Sequence, residues 1–390
     1  MKISIKFFRK YYIFIVSLLL SIVVSSINLV LAMDYPEFRF YDKWILIFAV
    51  LLMFFEYLIN PYKIKTLPSF KYILPFLCYM LFHEIFFYSN ISKYYHGPIV
   101  IQLFLMSILF LILPKNRNEL RIIVKILWFS LSALFIYYIY YLSTAQSVFD
   151  LGLKRVQIEE EYGAVININT LSFLSVIWAV LGLYLKELLT QNQTNKLSII
   201  VVINFLLAIV ICSFHASRAA LVLGIVCFAY YFYTLSKNKI AYFLSVLFVI
   251  VLFNNLYTTN DWSFLYIIER FQSSDDGFRM NQIYKSIEHF MQNPIFGSSA
   301  EVLIDGSGVT QHTFYINFIT IYGLLGLIFF IPLIKNMIST GLNKPTPSQN
   351  MAKLFFISVW LTAPSGYEQI IALIIIMSSS MIRKNQTRFS

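Results

Sequence analysis

The sequence predicts an all-α, polytopic integral membrane protein with about twelve transmembrane helices and both termini in the cytoplasm. Three observations predict this fold class. Hydrophobic residues make up 59% of the 390 residues and charged residues only 13%, whereas roughly a quarter of a soluble domain is charged. Apolar stretches of spanning length recur along the whole chain. Lysine and arginine are divided unequally between alternate loops. We therefore expect residues 1–390 to form a single membrane domain.

Twelve apolar stretches have the length of a membrane span, and polar breaks such as "PKNRNELR" separate them. They cover residues 11–32, 44–60, 72–89, 98–113, 122–142, 165–185, 197–215, 219–235, 240–256, 313–334, 351–365 and 368–382. The first stretch is longer than the apolar part of a signal peptide, and another span follows closely, so we interpret it as a retained helix. Cys78, Cys212 and Cys227 lie inside these stretches and are predicted to be buried thiols.

The positions of the basic residues predict the orientation of the chain. With a cytoplasmic N-terminus, all but nine of the 30 lysines and arginines fall on the cytoplasmic side. The outer nine are Arg39, Lys43, Lys93, Lys154, Arg155, Arg218, Arg270, Arg279 and Lys285. The formal charge of +11 is thus explained by membrane topology, and the sequence does not predict nucleic-acid binding.

Two outer loops are long, one over residues 143–164 and a larger one over residues 257–312. The larger loop contains "SSDDGFRMNQIYKSIEHFMQNPIFG", which predicts an amphipathic helix on the membrane surface, capped by Asp275 or Asp276. Its apolar stripe is Met280, Ile283, Ile287, Phe290 and Met291, and its other face carries Arg279, Gln282, Ser286 and His289. Arg279 falls in the first turn, where the helix end favours an anion. Alternatively, Arg279 pairs with one of the two aspartates and the helix only packs across the mouth of the bundle.

Arg218 stands in "ICSFHASRAALVLG", residues 211–224, at the joint between two apolar stretches. An arginine at mid-bilayer costs roughly 3 kcal/mol, so its predicted position at the outer ends of the seventh and eighth spans is significant. One interpretation is a side chain that reaches out to lipid phosphate. The small neighbours of Arg218 favour close helix packing instead, which would turn the guanidinium towards a cavity.

His312 stands at the outer entrance of the tenth span. Histidine gains or loses a proton near neutral pH, which suits general base catalysis, although a lone interfacial histidine is more often structural. His312 is predicted to lie at the same outer level as Arg218, Arg279 and the pair Lys154–Arg155. Such a set can bind a pyrophosphate and activate a hydroxyl.

Three stretches in this order resemble the O-antigen polymerase (Wzy) and O-antigen ligase (WaaL) superfamily. They are "SRAALVLG" at 217–224, "GFRMNQIYKSIEHFMQNPIFG" at 277–297 and "HTFYINFITIYGLLGLIFF" at 312–330. The long outer loop before the tenth span is also similar. The resemblance in motifs covers roughly residues 200–335, and the first half of the chain is similar only in hydropathy and topology. Members of the family often have asparagine after the histidine, whereas this chain has Thr313.

The resemblance implies a metal-independent, inverting glycosyltransferase of the bacterial inner (plasma) membrane that needs no cofactor. Its substrate would be an oligosaccharide linked to undecaprenyl pyrophosphate, a membrane lipid. Arg218 and Arg279 would bind the pyrophosphate, and His312 would act as general base on the acceptor hydroxyl or orient it. Lys154 and Arg155 would add to substrate binding. A chain-length regulator and a flippase of the same pathway are the protein partners that the resemblance implies.

Within this superfamily the sequence favours a polymerase, which joins a growing glycan to a lipid-linked repeat unit. Arg279 and His312 are only 33 residues apart, a compact loop that resembles polymerases more than ligases. The alternative is a ligase, which transfers the glycan to lipid A–core. A transporter of lipid-linked sugars is the other class considered, with Glu56, His83 and Glu84 as its candidate intramembrane groups. The absence of a convincing sequence repeat disfavours it. We expect His83 and Glu84 to make a polar contact between helices, or to support the cavity.

Overall fold

The computed structural model of the protein describes 2–24, 41–59, 70–87, 97–112, 117–143, 168–190, 198–214, 217–235, 276–299, 314–339, 346–362 and residue 377. Eleven helices and no strands lie within these ranges. In chain order they are α1 (Lys2–Val24), α2 (Tyr41–Ile59), α3 (Phe70–Phe86), α4 (Gly97–Ile112), α5 (Arg117–Ser143), α6 (Ile168–Leu189), α7 (Ile199–Phe214), α8 (Arg218–Leu235), α9 (Asp276–Gln292), α10 (Phe314–Ser339) and α11 (Pro347–Thr362).

Ten of the twelve predicted spans overlap a helix, namely α1 to α8, α10 and α11, and residues 25–32 of the first predicted span lie outside the described residues. The predicted spans 240–256 and 368–382 lie outside the described residues, apart from Met377. Among the described residues, three segments are long and apolar enough to cross a membrane, Asn118–Tyr140, Leu171–Leu189 and Phe318–Lys335, and several shorter apolar helices accompany them. The described part of the chain is therefore all-helical, with helices suited to a membrane.

The chain divides into two compact units. The first comprises Met1–Leu131, Asp276–Pro345 and Ala352–Ser390, and the second comprises Ser132–Asp275 and Thr346–Met351. In the first unit, contacts run from α1 to α2, then to α4, α3, α10 and α9. In the second unit, α6, α7 and α8 pack against one another.

Three charged side chains join three helices of the first unit. Arg9 on α1 donates two hydrogen bonds to Glu119 on α5, at 3.1 and 2.9 Å, and one to Glu56 on α2, at 2.8 Å. The side chain of Glu56 is only 4% exposed. Burial by itself lowers the pKa of Arg9, but the hydrogen bonds and charges of Glu119 and Glu56 outweigh burial and raise it. The guanidinium therefore stays charged and bridges both carboxylates.

Helix α6 contacts both α7 and α8, and 94% of its apolar part, Leu171–Leu189, is buried. A helix that is apolar on all sides is expected to be enclosed by its neighbours. Trp178 on α6 packs against Phe135 of α5, and its indole N–H donates to the hydroxyl of Ser132 at 2.9 Å. Cys212 and Cys227 are buried in this unit, as predicted. Cys78, on α3 of the first unit, is exposed, so the prediction of a buried thiol is wrong there. An apolar stretch has lipid-facing positions as well as interior ones.

The last turn of α6 is tied to the first turn of α11 within the second unit. Glu187, a buried residue, accepts hydrogen bonds from the backbone N–H of Ser348, at 3.0 Å, and from the Ser348 hydroxyl. At the start of α11 the Gln349 side chain accepts from the backbone N–H of Thr346 at 3.0 Å, which is one of the two bonds of a capping box, and Pro347 is the first helical residue. The carboxylate thus satisfies one of the amide groups that a helix start leaves without an intrahelical partner.

The ion pairs of Arg9 lead to a prediction about stability. Arg9→Ala leaves Glu56 as a buried carboxylate without its cation, which should cost about 3 kcal/mol of stability. We expect a lower thermal unfolding midpoint in detergent, measured by tryptophan fluorescence. The double variant Arg9→Met/Glu56→Met removes both charges and should unfold at a higher temperature than Arg9→Ala. Equal midpoints for Arg9→Ala and the unmodified protein would contradict the proposed role of these ion pairs.

Candidate functional site

Arg218 is the first residue of α8, immediately after the tight connection from α7. Helix α7 ends at Phe214, and α8 begins at Arg218. The buried Ser217 donates its backbone N–H to the carbonyl of Cys212 at 3.1 Å and accepts from the N–H of Leu221 at 2.9 Å. Ser217 thus occupies the capping position. The short break predicted between these two spans is confirmed, and it places Arg218 at a helix N-terminus.

Small residues let the start of α8 pack closely within its unit. Ala220 is fully buried, two residues after Arg218. One turn further on, a Cβ added at Gly224 would meet the side chain of Val176 on α6 at 3.3 Å. The close packing predicted from the small neighbours of Arg218 is therefore present at Ser217 and Ala220.

The amphipathic helix predicted in the larger outer loop exists as α9. It begins at Asp276, so Arg279 is its fourth residue and lies in the first turn, as predicted. The exposure of the predicted apolar stripe is compatible with a helix on the membrane surface, whereas the burial of one residue from the predicted polar face was not expected. Ile287 and Met291 of that stripe are 47% and 69% exposed, whereas Ser286, from the predicted polar face, is completely buried.

Ser286 marks the side of α9 that packs against α10. The hydroxyl of Thr320 on α10 donates to the backbone carbonyl of Ser286 at 3.1 Å. A serine has little bulk, so it allows the two helices to approach closely. The larger apolar residues then remain on the outside, which in a membrane protein suits contact with lipid.

Helix α10 is interrupted at Gly323, which has φ 61° and ψ −165°. The turn that ends α9, residues 293–298 ("NPIFGS"), supplies the backbone partners that the interruption requires. The N–H groups of Leu324 and Leu325 donate to the carbonyls of Pro294, at 2.9 Å, and Ile295, at 3.1 Å. The N–H of Ser298 lies 2.9 Å from the carbonyl oxygen of Thr320 and 3.1 Å from that of Ile321. We call this hydrogen-bonded joint between residues 293–298 and 320–325 the clamp.

Two glycines make the clamp possible. Gly297 has φ 82° and Gly323 has φ 61°, conformations that residues with a Cβ rarely adopt. A Cβ at Gly297 would overlap the backbone carbonyl of Ile321, and a Cβ at Gly323 would overlap that of Ile295. Backbone atoms cannot rotate away as the end of a side chain can. The "NPIFG" and "YGLLG" segments of the two resembling stretches can therefore approach each other this closely because Gly297 and Gly323 have no Cβ.

Polar side chains of α3 contact backbone carbonyls of the clamp. His83 Nε2 lies 3.1 Å from the carbonyl oxygen of Phe296, and the Tyr79 hydroxyl donates to the carbonyl of Tyr322 at 2.8 Å. The Tyr322 hydroxyl donates to Glu84 at 3.5 Å. The predicted polar contact between helices is confirmed for Glu84, and His83 contacts the turn after α9. Tyr79 was not singled out in the sequence, although it lies one helical turn before His83.

The predicted site residues are divided among different parts of the structure. Arg279 belongs to the first unit and Arg218 to the second, and each is placed relative to the helices of its own unit. His312, Lys154 and Arg155 lie outside the described residues. His312 precedes Phe314, the first residue of α10, by two positions. The clamp thus connects the helix that carries Arg279 to the helix that follows His312.

The glycines of the clamp lead to a prediction about stability. Gly297→Ala and Gly323→Ala should each cost about 2 kcal/mol or more, because alanine is strained at positive φ and its Cβ has no space. Thermal unfolding in detergent measures the effect. Gly224→Ala is the control, since Gly224 lies inside α8 without a positive φ and its added Cβ would meet side chains rather than backbone, those of Val176 at 3.3 Å and Ile209 at 3.6 Å. The clamp would be disproved as a stabilising element if all three variants unfolded at the same temperature.

No protein-family model matches the chain, and neither a curated protein nor a solved structure matches it.

Proposed function

We propose that this chain is an O-antigen-type polysaccharide polymerase that works at the outer face of the bacterial inner membrane. The observation that carries the proposal is the clamp. Two of the three stretches that resemble the Wzy/WaaL superfamily, 277–297 and 312–330, are hydrogen-bonded to each other through their own motif residues. Arg279 lies on α9, which ends at the clamp, and His312 precedes α10, which contains the other half of the clamp.

In the proposed reaction, the hydroxyl oxygen of a lipid-linked repeat unit attacks the anomeric carbon of the growing glycan. The bond from that carbon to the pyrophosphate oxygen breaks, and undecaprenyl pyrophosphate leaves with the bonding electrons. His312 accepts the hydroxyl proton, and attack opposite the leaving group inverts the anomeric centre. Arg218 and Arg279 bind the pyrophosphate and stabilise the charge that it gains. Lys154 and Arg155 add cationic groups for the same lipid-linked substrate.

The proposed topology has twelve spans, with both termini in the cytoplasm and the loops 143–164 and 257–312 outside. The separation of basic residues between the two sides supports it. Three acidic residues that this topology places on or near the cytoplasmic side, Glu56, Glu119 and Glu187, have hydrogen-bond partners within the protein. Glu56 and Glu119 bind Arg9, and Glu187 binds the start of α11. A chain-length regulator and a flippase of the same pathway are the proposed protein partners.

The contacts of the intramembrane ionisable residues favour an enzyme over a transporter. A transporter needs such groups for its substrate or its coupling ion. In this chain Glu56 bonds Arg9, Glu84 accepts from Tyr322, and His83 contacts the turn after α9. All three have structural contacts already. A ligase shares the proposed chemistry and differs in its acceptor, so the product pattern distinguishes it from a polymerase.

Glycan profiling by gel electrophoresis tests the proposed function. In a strain that lacks the gene for this chain, we expect the ladder of long chains to collapse to lipid A–core carrying one repeat unit. Re-expression of the unmodified chain should restore the ladder. Loss of all repeats from lipid A–core, with long chains still present on the lipid carrier, would identify a ligase. An unchanged ladder would reject both enzymes.

Variants of the proposed site residues test the roles of Arg218 and His312. His312→Ala should lower the polymerisation rate by about 10² or more, the usual contribution of a general base. Arg218→Lys keeps the charge but loses the two-pronged geometry of the guanidinium, so we expect a clear loss of rate as well. Arg39→Lys, on the same predicted side of the membrane, is the control and should retain the ladder. Full activity of Arg218→Lys at a normal membrane level would favour an arginine that only contacts lipid phosphate.

A further inference from the structure

The turn that ends α9 lies at the level of an apolar part of α10. The carbonyl of Pro294 accepts from the N–H of Leu324 at 2.9 Å. Leu324 belongs to Phe318–Lys335, a segment long and apolar enough to cross a membrane. Its position in this segment is about 9 Å along the helix axis from Phe318. In a membrane that α10 crosses, the turn therefore lies inside the hydrocarbon region rather than on its surface.

Helix α3 gives the turn a similar level. His83 Nε2 lies 3.1 Å from the carbonyl oxygen of Phe296, and His83 is in the last turn of α3, within the predicted span 72–89. Phe82 and Phe86, on the same helix, are exposed apolar side chains, as expected of residues that face lipid. The turn after α9 is thus next to the apolar outer surface of a second helix.

Helix α9 enters the membrane from the side on which α10 begins. Ser286 contacts Thr320, and further along both helices Pro294 contacts Leu324, so the chain runs in the same sense through α9 and α10. If α9 crossed the membrane, residues 300–313 would have to cross it back before α10. The sequence of these residues contains no apolar stretch of spanning length. Helix α9 therefore reaches into the membrane without crossing it.

An exposed apolar stripe runs along α9 into the turn. Ile287 and Met291 are one helical turn apart and are both exposed. Ile295 and Phe296 follow in the turn itself and are 55% and 56% exposed. Large apolar side chains at this level gain free energy when acyl chains, rather than water, surround them.

The exposed charged residues of α9 lie further from the turn. Lys285 and Glu288 are exposed, on a different side of the helix from the apolar stripe. Both come before the last turn of α9. Their long side chains can therefore extend to the headgroup region while the end of the helix lies deeper.

The clamp satisfies the backbone of the turn, which is the condition for non-helical chain at membrane depth. The carbonyls of Pro294 and Ile295 and the N–H of Ser298 are bonded to α10. Within the turn, the N–H of Gly297 donates to the carbonyl of Asn293 at 2.9 Å. In water the solvent would satisfy these groups, and such close backbone packing would not be needed.

We propose that the turn of residues 293–298 is inserted into the hydrocarbon region of the leaflet at which α10 begins, and that Ile295 and Phe296 contact lipid acyl chains there. In the proposed topology this is the outer leaflet, so part of the loop 257–312 lies inside the membrane. Helix α9 is then the entering arm of a segment that returns to the same side. This placement needs no polymerase activity, because it follows from contacts within the first unit.

Spin labelling of the full chain tests the insertion. The three cysteines are replaced by alanine, Phe296→Cys is labelled with a nitroxide, and the chain is reconstituted in phosphatidylcholine–phosphatidylglycerol vesicles. Collision rates with oxygen and with a water-soluble nickel complex report the depth of the label. We expect frequent collisions with oxygen, few with nickel, and a depth of roughly 10 Å or more below the lipid phosphates.

Lys285→Cys is the matched control, because it is an exposed position on the same helix. Its label should collide with nickel several-fold more often than the label at Phe296→Cys. Ile295→Cys repeats the measurement at the neighbouring exposed position and should give the same depth as Phe296→Cys.

Two outcomes would overturn the insertion. Frequent nickel collisions at both turn positions would place the turn in water. Few collisions with either reagent would show that protein, such as a second copy of the chain, covers these side chains instead of lipid. Neither outcome depends on whether the chain forms polymer, so the glycan ladder tests the proposed function separately.

Discussion

The constraint on which the first unit depends is that every backbone amide and carbonyl in an apolar environment needs a hydrogen-bond partner. The interruption of α10 at Gly323 would leave several such groups without partners. The turn after α9 provides both carbonyls and an N–H at this point. The turn after α9, the interruption of α10 and the polar residues of α3 therefore depend on one another for their hydrogen bonds. No single part would be stable without the others, since each unmatched group would cost several kcal/mol.

The same constraint explains where the described charges of the interior lie. A lone carboxylate in an apolar interior would lose its charge or destabilise the fold. Glu56 and Glu119 share the guanidinium of Arg9, and Glu187 binds the first turn of α11. Each carboxylate joins elements that are distant in the sequence. These residues are rare in so apolar a chain because each one requires a partner on another helix.

The sequence predicts the helices well, because their main signal is the length of apolar stretches between polar breaks. It also predicts α9 and the places of Arg218 and Arg279 at helix starts. It does not predict the interruption at Gly323 or the burial of Ser286. The pattern of α9 separates an apolar stripe from a polar face, and a small polar residue such as Ser286 can still be buried where two helices approach closely. Backbone bonds between distant segments leave no periodic pattern. Only the glycines and the proline of "NPIFG" and "YGLLG" indicate them.

The positions of Arg218 and Arg279 share a physical feature that bears on their proposed role. Arg218 is the first residue of α8 and Arg279 the fourth residue of α9. A cation in the first turn is disfavoured by the helix dipole, by about 0.3–1 kcal/mol. Arginine would be a poor choice there for stability alone. An anion reverses this balance, because it binds the guanidinium and the N–H groups of the first turn at once. Each of the two helix starts, taken within its own unit, is therefore suited to an anionic group.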